Sequence, residues 1–256
     1  MRLRTLGFAL AWAVAGTAQA AEHHQARTSS GEPVEVFEDL PSGSGPFPTV
    51  VFANGQAGDV NGQLPLAMSN ALVKRGIAVV RFDWRYRTAD PKAGVQSPTL
   101  ANEVADMKAA LAFVRSDRRL NNGSVVIMAK SLGTMITTRV LPEAPEVRGA
   151  VLLTPLCSLR GKPGDPAWMS DPYPGFASER RPVAFVLGDS DSFCETKTLY
   201  EYATHMSGPV RIDVVDGGHG FAVMDYPEGD ALNLSLAAEA AANAAAAMVR
   251  TSGGAR

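Results

Sequence analysis

Four histidines occur in the 256 residues, and their positions narrow what chemistry the chain can do. His23 and His24 lie near the start, and His205 falls in a stretch patterned as a helix. Only His219 directly follows a strand-like run: Arg211–Val215 leads into Asp216-Gly217-Gly218-His219-Gly220-Phe221. Histidine changes charge close to neutral pH, so it is the usual general base for a hydroxyl nucleophile. Ser131 is the candidate for that nucleophile. The apolar run Ser124–Met128 is followed by Ala129-Lys130-Ser131-Leu132-Gly133, a strand, a sharp turn and the start of a helix. Small residues two before and two after a serine are the mark of a nucleophile elbow, whose tight turn lifts the hydroxyl above the sheet edge. The competing reading makes Ser131 only the N-cap of the helix that follows.

An acid to orient the imidazole is expected from the strand exit between these two. Gly188-Asp189-Ser190-Asp191 follows Val183–Leu187 and offers two carboxylates. Asp191 is preferred, because three residues past Gly188 a turn aims its carboxylate sideways; Asp189 is the fallback and Asp216 a third choice. The order Ser131, Asp191, His219 is one of three known orders for such a triad. Asn54-Gly55-Gln56-Ala57-Gly58, directly after the buried run Thr49–Ala53, supplies glycines that let backbone N–H groups face a ligand, as an oxyanion hole requires. Lys130 could serve as a Ser-Lys base, but a side chain flanking an elbow serine normally points away from it. Lys130 is therefore expected to be structural or to line the pocket, and Asn54 to lie on the substrate side.

Positioning these residues takes strands alternating with helices. The patterning predicts a helix over Leu64–Arg75 closed by Gly76, a strand over Ile77–Phe82, and a helix opening at Pro98 with Leu100, Val104, Met107, Leu111 and Val114 on one face. Further strands are expected at Gly149–Leu153, Val183–Leu187 and Arg211–Val215, with helices near Lys197–His205 and Gly229–Val249. This rhythm implies an α/β fold with a mostly parallel sheet covered on both faces. The Pro- and Gly-rich segment Pro155–Arg181, carrying Trp168, Tyr173 and Phe176, is either part of a substrate pocket, a loop-like cap, or a packed connection.

The first 20 residues read as a secretory signal peptide: basic Arg2 and Arg4, an apolar run from Leu6 to Ala15, and Ala18-Gln19-Ala20 as cleavage site. Residues 21–32 are expected to be a flexible leader, Val34–Glu38 an exposed edge strand, and 33–256 a single domain. An exported, periplasmic or secreted protein follows from this reading. Formal charge is −2, with no basic footprint for nucleic acid. The alanine-rich last helix is interrupted by Glu239 and Asn243, which argues against a membrane span. Cys157 and Cys194 both follow predicted strands, and form either one disulfide or two buried thiols. No paired-histidine metal motif and no phosphate-cradling glycine run is present, so no metal or cofactor is expected.

Arg81-Phe82-Asp83-Trp84-Arg85-Tyr86, Pro155-Leu156 followed by Gly161-Lys162-Pro163, and the Asp191-Ser192-Phe193-Cys194 turn carry a resemblance. With the Ser131, Asp191, His219 order, they make the chain similar to the α/β-hydrolases, and more narrowly to the dienelactone-hydrolase-like group and its KANL3/Tex30-type relatives. The resemblance implies the α/β-hydrolase fold and a serine hydrolase acting on a carboxylic ester or similar acyl bond. Two positions depart from the group's pattern: Asn54-Gly55 stands where His-Gly is usual, and Ala129 where Gly is usual. Oxyanion holes use backbone N–H groups, so Gln56 and Leu132 are expected to supply them whatever their side chains. A non-catalytic binding protein on the same fold, and a peptidase or acyltransferase with the same triad, are the alternatives.

Overall fold

The structure, a computed structural model, describes residues 20–157, 173–223 and 227–250. Residues 1–19 of the expected signal peptide, Gly161-Lys162-Pro163 and Trp168 lie outside these residues.

Eight strands form one sheet in the order β1-β2-β4-β3-β5-β6-β7-β8. They are β1 (Glu22–Arg27), β2 (Pro33–Asp39), β3 (Phe47–Ala53), β4 (Ala78–Phe82), β5 (Leu120–Lys130), β6 (Val147–Leu153), β7 (Val183–Gly188) and β8 (Val210–Val215). From β4 across to β8 every pairing is parallel, and β1 and β2 pair antiparallel at the other side. The helices are α1 (Gln63–Val73), α2 (Arg85–Ala89), α3 (Ala101–Ser116), α4 (Leu132–Val140), α5 (Thr196–Ala203) and α6 (Pro227–Arg250). This is the α/β-hydrolase architecture.

The near-continuous apolar strands β3 to β7 bury both faces, as parallel strands between helix layers do. Val51, Ala53, Ile127, Ala129 and Leu152 pack beneath α3 and α4, while Phe52, Val126, Met128, Val151 and Val186 pack beneath α1 and α6. Asp230–Arg250 is long and apolar enough to cross a membrane by length and composition. Its Ala237, Ala238, Ala241, Ala242 and Ala245 are nevertheless buried against the sheet, where small side chains let a helix lie close.

Three local expectations are corrected. Residues 22–27 of the expected flexible leader form β1, which places β2 inside the sheet instead of at its exposed edge. Partners far along the chain order it: Arg119 reaches Glu22, the His24 ring packs on Phe113, and His23 stacks on Phe37. Pro98 does not open a helix. Leu100 takes a left-handed conformation, its N–H closes a turn on Ser97, and α3 begins at Ala101. The buried carboxylate of Glu103 accepts both the Ser97 N–H and its hydroxyl, which fixes that turn. His205 lies exposed just beyond α5.

Candidate active site

Ser131 sits between β5 and α4 with φ 50° and ψ −115°, a conformation outside the regions open to most L-residues. Its N–H bonds the carbonyl of Leu153, and its carbonyl accepts the Thr134 N–H, so the turn is fixed on both sides. Gly133 permits the turn: a Cβ there would stand 2.9 Å from the carbonyl oxygens of both Ala53 and Asn54. Ala129 is fully buried and is accommodated without such a conflict.

His219 Nε2 lies 2.9 Å from Ser131 Oγ, and its Nδ1 lies 3.0 Å from each oxygen of Asp191. With Nδ1 protonated, the imidazole donates to the carboxylate and Nε2 accepts from the hydroxyl. Asp191 is almost fully buried, and Oδ1 also accepts the Phe193 N–H at 2.9 Å. The Phe193 ring leans on the imidazole with centroids 4.5 Å apart. The other two acids stand apart from the ring: Asp189 accepts the Gly217 N–H at 3.1 Å and holds the histidine loop, while Asp216 is exposed. Gly188 lets the two loops meet, since a Cβ on it would lie 2.0 Å from the Gly217 carbonyl oxygen.

On the other side of Ser131, the 54–60 loop approaches so closely that a Cβ on Gly55 would lie 3.2 Å from Ser131 Cβ. Gln56 and Leu132 both line the cavity around Ser131. Leu132 is the first residue of α4, where an N–H has no acceptor within the helix. The exit of β4 grips this loop. Trp84 Nε1 donates to the Asn54 carbonyl at 3.1 Å, Tyr86 Oη donates to the Gln56 carbonyl at 2.7 Å, and Asp83 Oδ1 accepts the Val60 N–H at 3.1 Å. Arg81, fully buried, donates to the Val60 carbonyl and is itself held by Asp39. Burial pushes the Asp83 carboxyl up to about 6. The sequence Arg81–Tyr86 carries a resemblance; that its side chains clamp the 54–60 loop depends on contacts some 30 residues away in sequence.

The cavity measures about 690 Å³ and is lined by Asn54, Gln56, Gln63, Leu64, Lys130, Met135, Leu156 and Phe193 among others. A larger cavity, about 770 Å³, lies between α1 and α6; Ser131 and His219 are not in its wall. Cys157 and Cys194 form a disulfide with Cα atoms 4.6 Å apart, tying the loop after β6 to the Asp191 turn. Tyr173 and Phe176 are buried in the core instead of facing substrate. The Tyr173 hydroxyl accepts the Leu156 N–H and pairs with Thr134 Oγ1, so this end of the Pro155–Arg181 segment anchors the pocket wall.

Residues 47–249 match the family described as Alpha/beta hydrolase domain. No curated protein matches the chain. Among solved structures, the chain resembles an esterase domain from Rhodothermus marinus (TM-score 0.66, 18% identity, 90% of this chain and 99% of that one). An alpha-beta serine hydrolase homologue from Coxiella burnetii is similar at TM-score 0.66 and 19% identity, covering 88% and 98%. A Xanthomonas campestris α/β serine hydrolase without a lid is similar at TM-score 0.63 and 16% identity, covering 91% and 97%. At such identities the likeness is one of fold.

Proposed function

Because the chain belongs to the alpha/beta hydrolase domain family, we propose that it is a serine hydrolase that cleaves a carboxylic ester or similar acyl bond through an acyl-enzyme. The observation that carries this reading is the unbroken hydrogen-bond chain Ser131 Oγ, His219, Asp191 opening on a cavity. A serine hydroxyl near neutral pH is a weak nucleophile until a base takes its proton. In the proposed cycle Ser131 Oγ attacks the carbonyl carbon while its proton passes to His219 Nε2. Asp191 holds Nδ1–H and stabilises the imidazolium. The N–H groups of Gln56 and Leu132 receive the oxyanion. Collapse expels the alcohol, protonated by His219, and water then repeats the sequence to release the acid.

The neighbours named as esterases and serine hydrolases support the reaction class, and the Arg81–Tyr86 strand exit supports a place beside the dienelactone-hydrolase-like group. The signal-like first 20 residues and the Cys157–Cys194 disulfide support export, since disulfides persist in oxidising compartments. Intact-mass analysis after exposure to a small fluorophosphonate tests the proposal. One adduct is expected, mapping to Ser131 and absent from Ser131→Ala. Unimpaired turnover by Ser131→Ala, or labelling elsewhere only, would sink it.

A further inference from the structure

The Lys130 amine has neither a hydrogen-bond nor an ion-pair partner among the described residues, yet the residue is half-buried in the wall of the reaction cavity, immediately before the nucleophile. Burial holds the ammonium below the usual lysine range, with the Asp191 charge partly restoring it. Alternation along β5 puts Lys130 on the same face as Val126 and Met128, the face that packs beneath α1. The cavity wall there is formed by Gln63, Leu64 and Pro65 at the start of α1, together with Asn54. The Asn54 side chain is buried, and its amide nitrogen also lacks a partner. Among the described residues the other charged group of the wall besides His219 is Asp59, whose Oδ1 accepts the Asn61 N–H. The wall also includes the apolar side chains of Met135, Leu156 and Phe193.

Among the described residues the cavity wall therefore holds a cation and a buried amide nitrogen without hydrogen-bond partners, in a lining that also includes hydrocarbon side chains. Removing an ammonium from water is costly, the Asp191 charge offsets that cost only in part, and a ligand that brings a carboxylate offsets more of it. We propose that Lys130, assisted by Asn54, receives a carboxylate on the substrate, so that the preferred substrates are esters bearing a free carboxylate a few bonds from the scissile carbonyl. This rests on the serine-hydrolase reading and names its substrate class. A neutral ester of the same shape leaves both donors unpaired, the situation in which polar sites discriminate most strongly.

The test compares monoethyl glutarate with ethyl valerate, which differ by a carboxylate in place of a methyl group, with released ethanol as readout. The parent should favour the hemiester by about tenfold or more in kcat/KM, and Lys130→Met should lower that ratio by about tenfold, chiefly through KM for the hemiester. Lys130→Arg should recover most of the preference, which a purely structural lysine would not explain. A parent that favours ethyl valerate, or an unchanged ratio in Lys130→Met and in Lys130→Gln with parent-like circular dichroism, would overturn the proposal. Fluorophosphonate labelling of the parent keeps the two readings apart: Ser131 labelled without a hemiester preference overturns only the carboxylate site. If neither ester is cleaved, calorimetric binding of glutarate decides it, upheld by binding that Lys130→Met abolishes and overturned by no binding to the parent.

Discussion

Two histidines in this molecule sit against buried carboxylates, and their surroundings differ in every respect that matters for chemistry. His219 lies between Asp191 and Ser131, its second nitrogen directed at a hydroxyl in the wall of a cavity. His24, on β1, has Nε2 3.2 Å from Glu38 and 3.6 Å from Glu22. Among the described residues no hydroxyl is bonded to it. Arg119 binds the same two glutamates and Asp117, so a permanent positive charge already stands among them. Asp191 has no arginine; its carboxylate is held by the Phe193 N–H and the imidazole, which leaves the imidazole as the group on which a positive charge develops. A carboxylate–histidine pair becomes an acid–base device when the histidine is the cation bonded to the acid and its second nitrogen faces a hydroxyl.

The largest test of that contrast sets His219→Ala against His24→Ala. Loss of the base should cost about 10³-fold or more in kcat, since members of a triad act as one unit. His24→Ala should leave kcat/KM for ethyl valerate within about twofold, a surface-region change far from the reacting atoms. Equal losses in the two variants would mean that the β1 cluster supports the site and that the contrast is wrongly drawn.

A smaller effect is expected from the disulfide. Cys194 lies three residues after Asp191, and Cys157 follows the pocket residue Leu156, so the bond joins the acid's turn to the cavity wall. Closing a loop between cysteines 37 residues apart is worth about 3–4 kcal/mol in the chain-entropy account. The double variant Cys157→Ser, Cys194→Ser should lose about 10 °C in Tm, measured by calorimetry. Below that Tm it should also lose a few-fold in kcat, as small misplacement of an orienting group slows chemistry. A lowered Tm with kcat unchanged would show that the turn's backbone bonds position Asp191 unaided.

The same contrast separates what could be read from the sequence. Ser131, Asp191 and His219 each lie within four residues of the end of a strand, and parallel strands deliver their C-terminal ends to one edge, so local pattern and topology were enough to bring the three together. The β1 cluster was not legible, because His23 and His24 look like polar leader until Glu38 and Arg119 fold against them, the latter some 97 residues from Glu22. The clamp from Trp84 and Tyr86 onto the 54–60 loop was hidden for the same reason: the bonds run to backbone carbonyls, which no side-chain pattern announces. Pro98 misled because a proline suited to a first helical turn also suits a tight turn, and the Ser97–Glu103 bonds decide between them.

The smallest predicted effect belongs to the β1 cluster. Burial first, and then the neighbouring Asp117 charge, push the Glu38 carboxyl up to about 7, while Arg119 pulls it down and Glu22 and Asp39 add to the rise. An acid whose value is raised from 4.5 in the unfolded chain to about 7 in the folded one binds more protons when folded across that window. Its contribution to stability is then fully present below 4.5 and declines as pH rises to about 7. Glu38→Gln removes the titration while leaving an amide oxygen for Arg119 to bond. The difference in Tm between Glu38→Gln and the parent should therefore grow steadily in the variant's favour from pH 4.5 to pH 7. A difference that stays flat across that range would mean that Arg119 and His24 keep Glu38 ionised, and that the β1 cluster is a fixed ion network with no proton to lose.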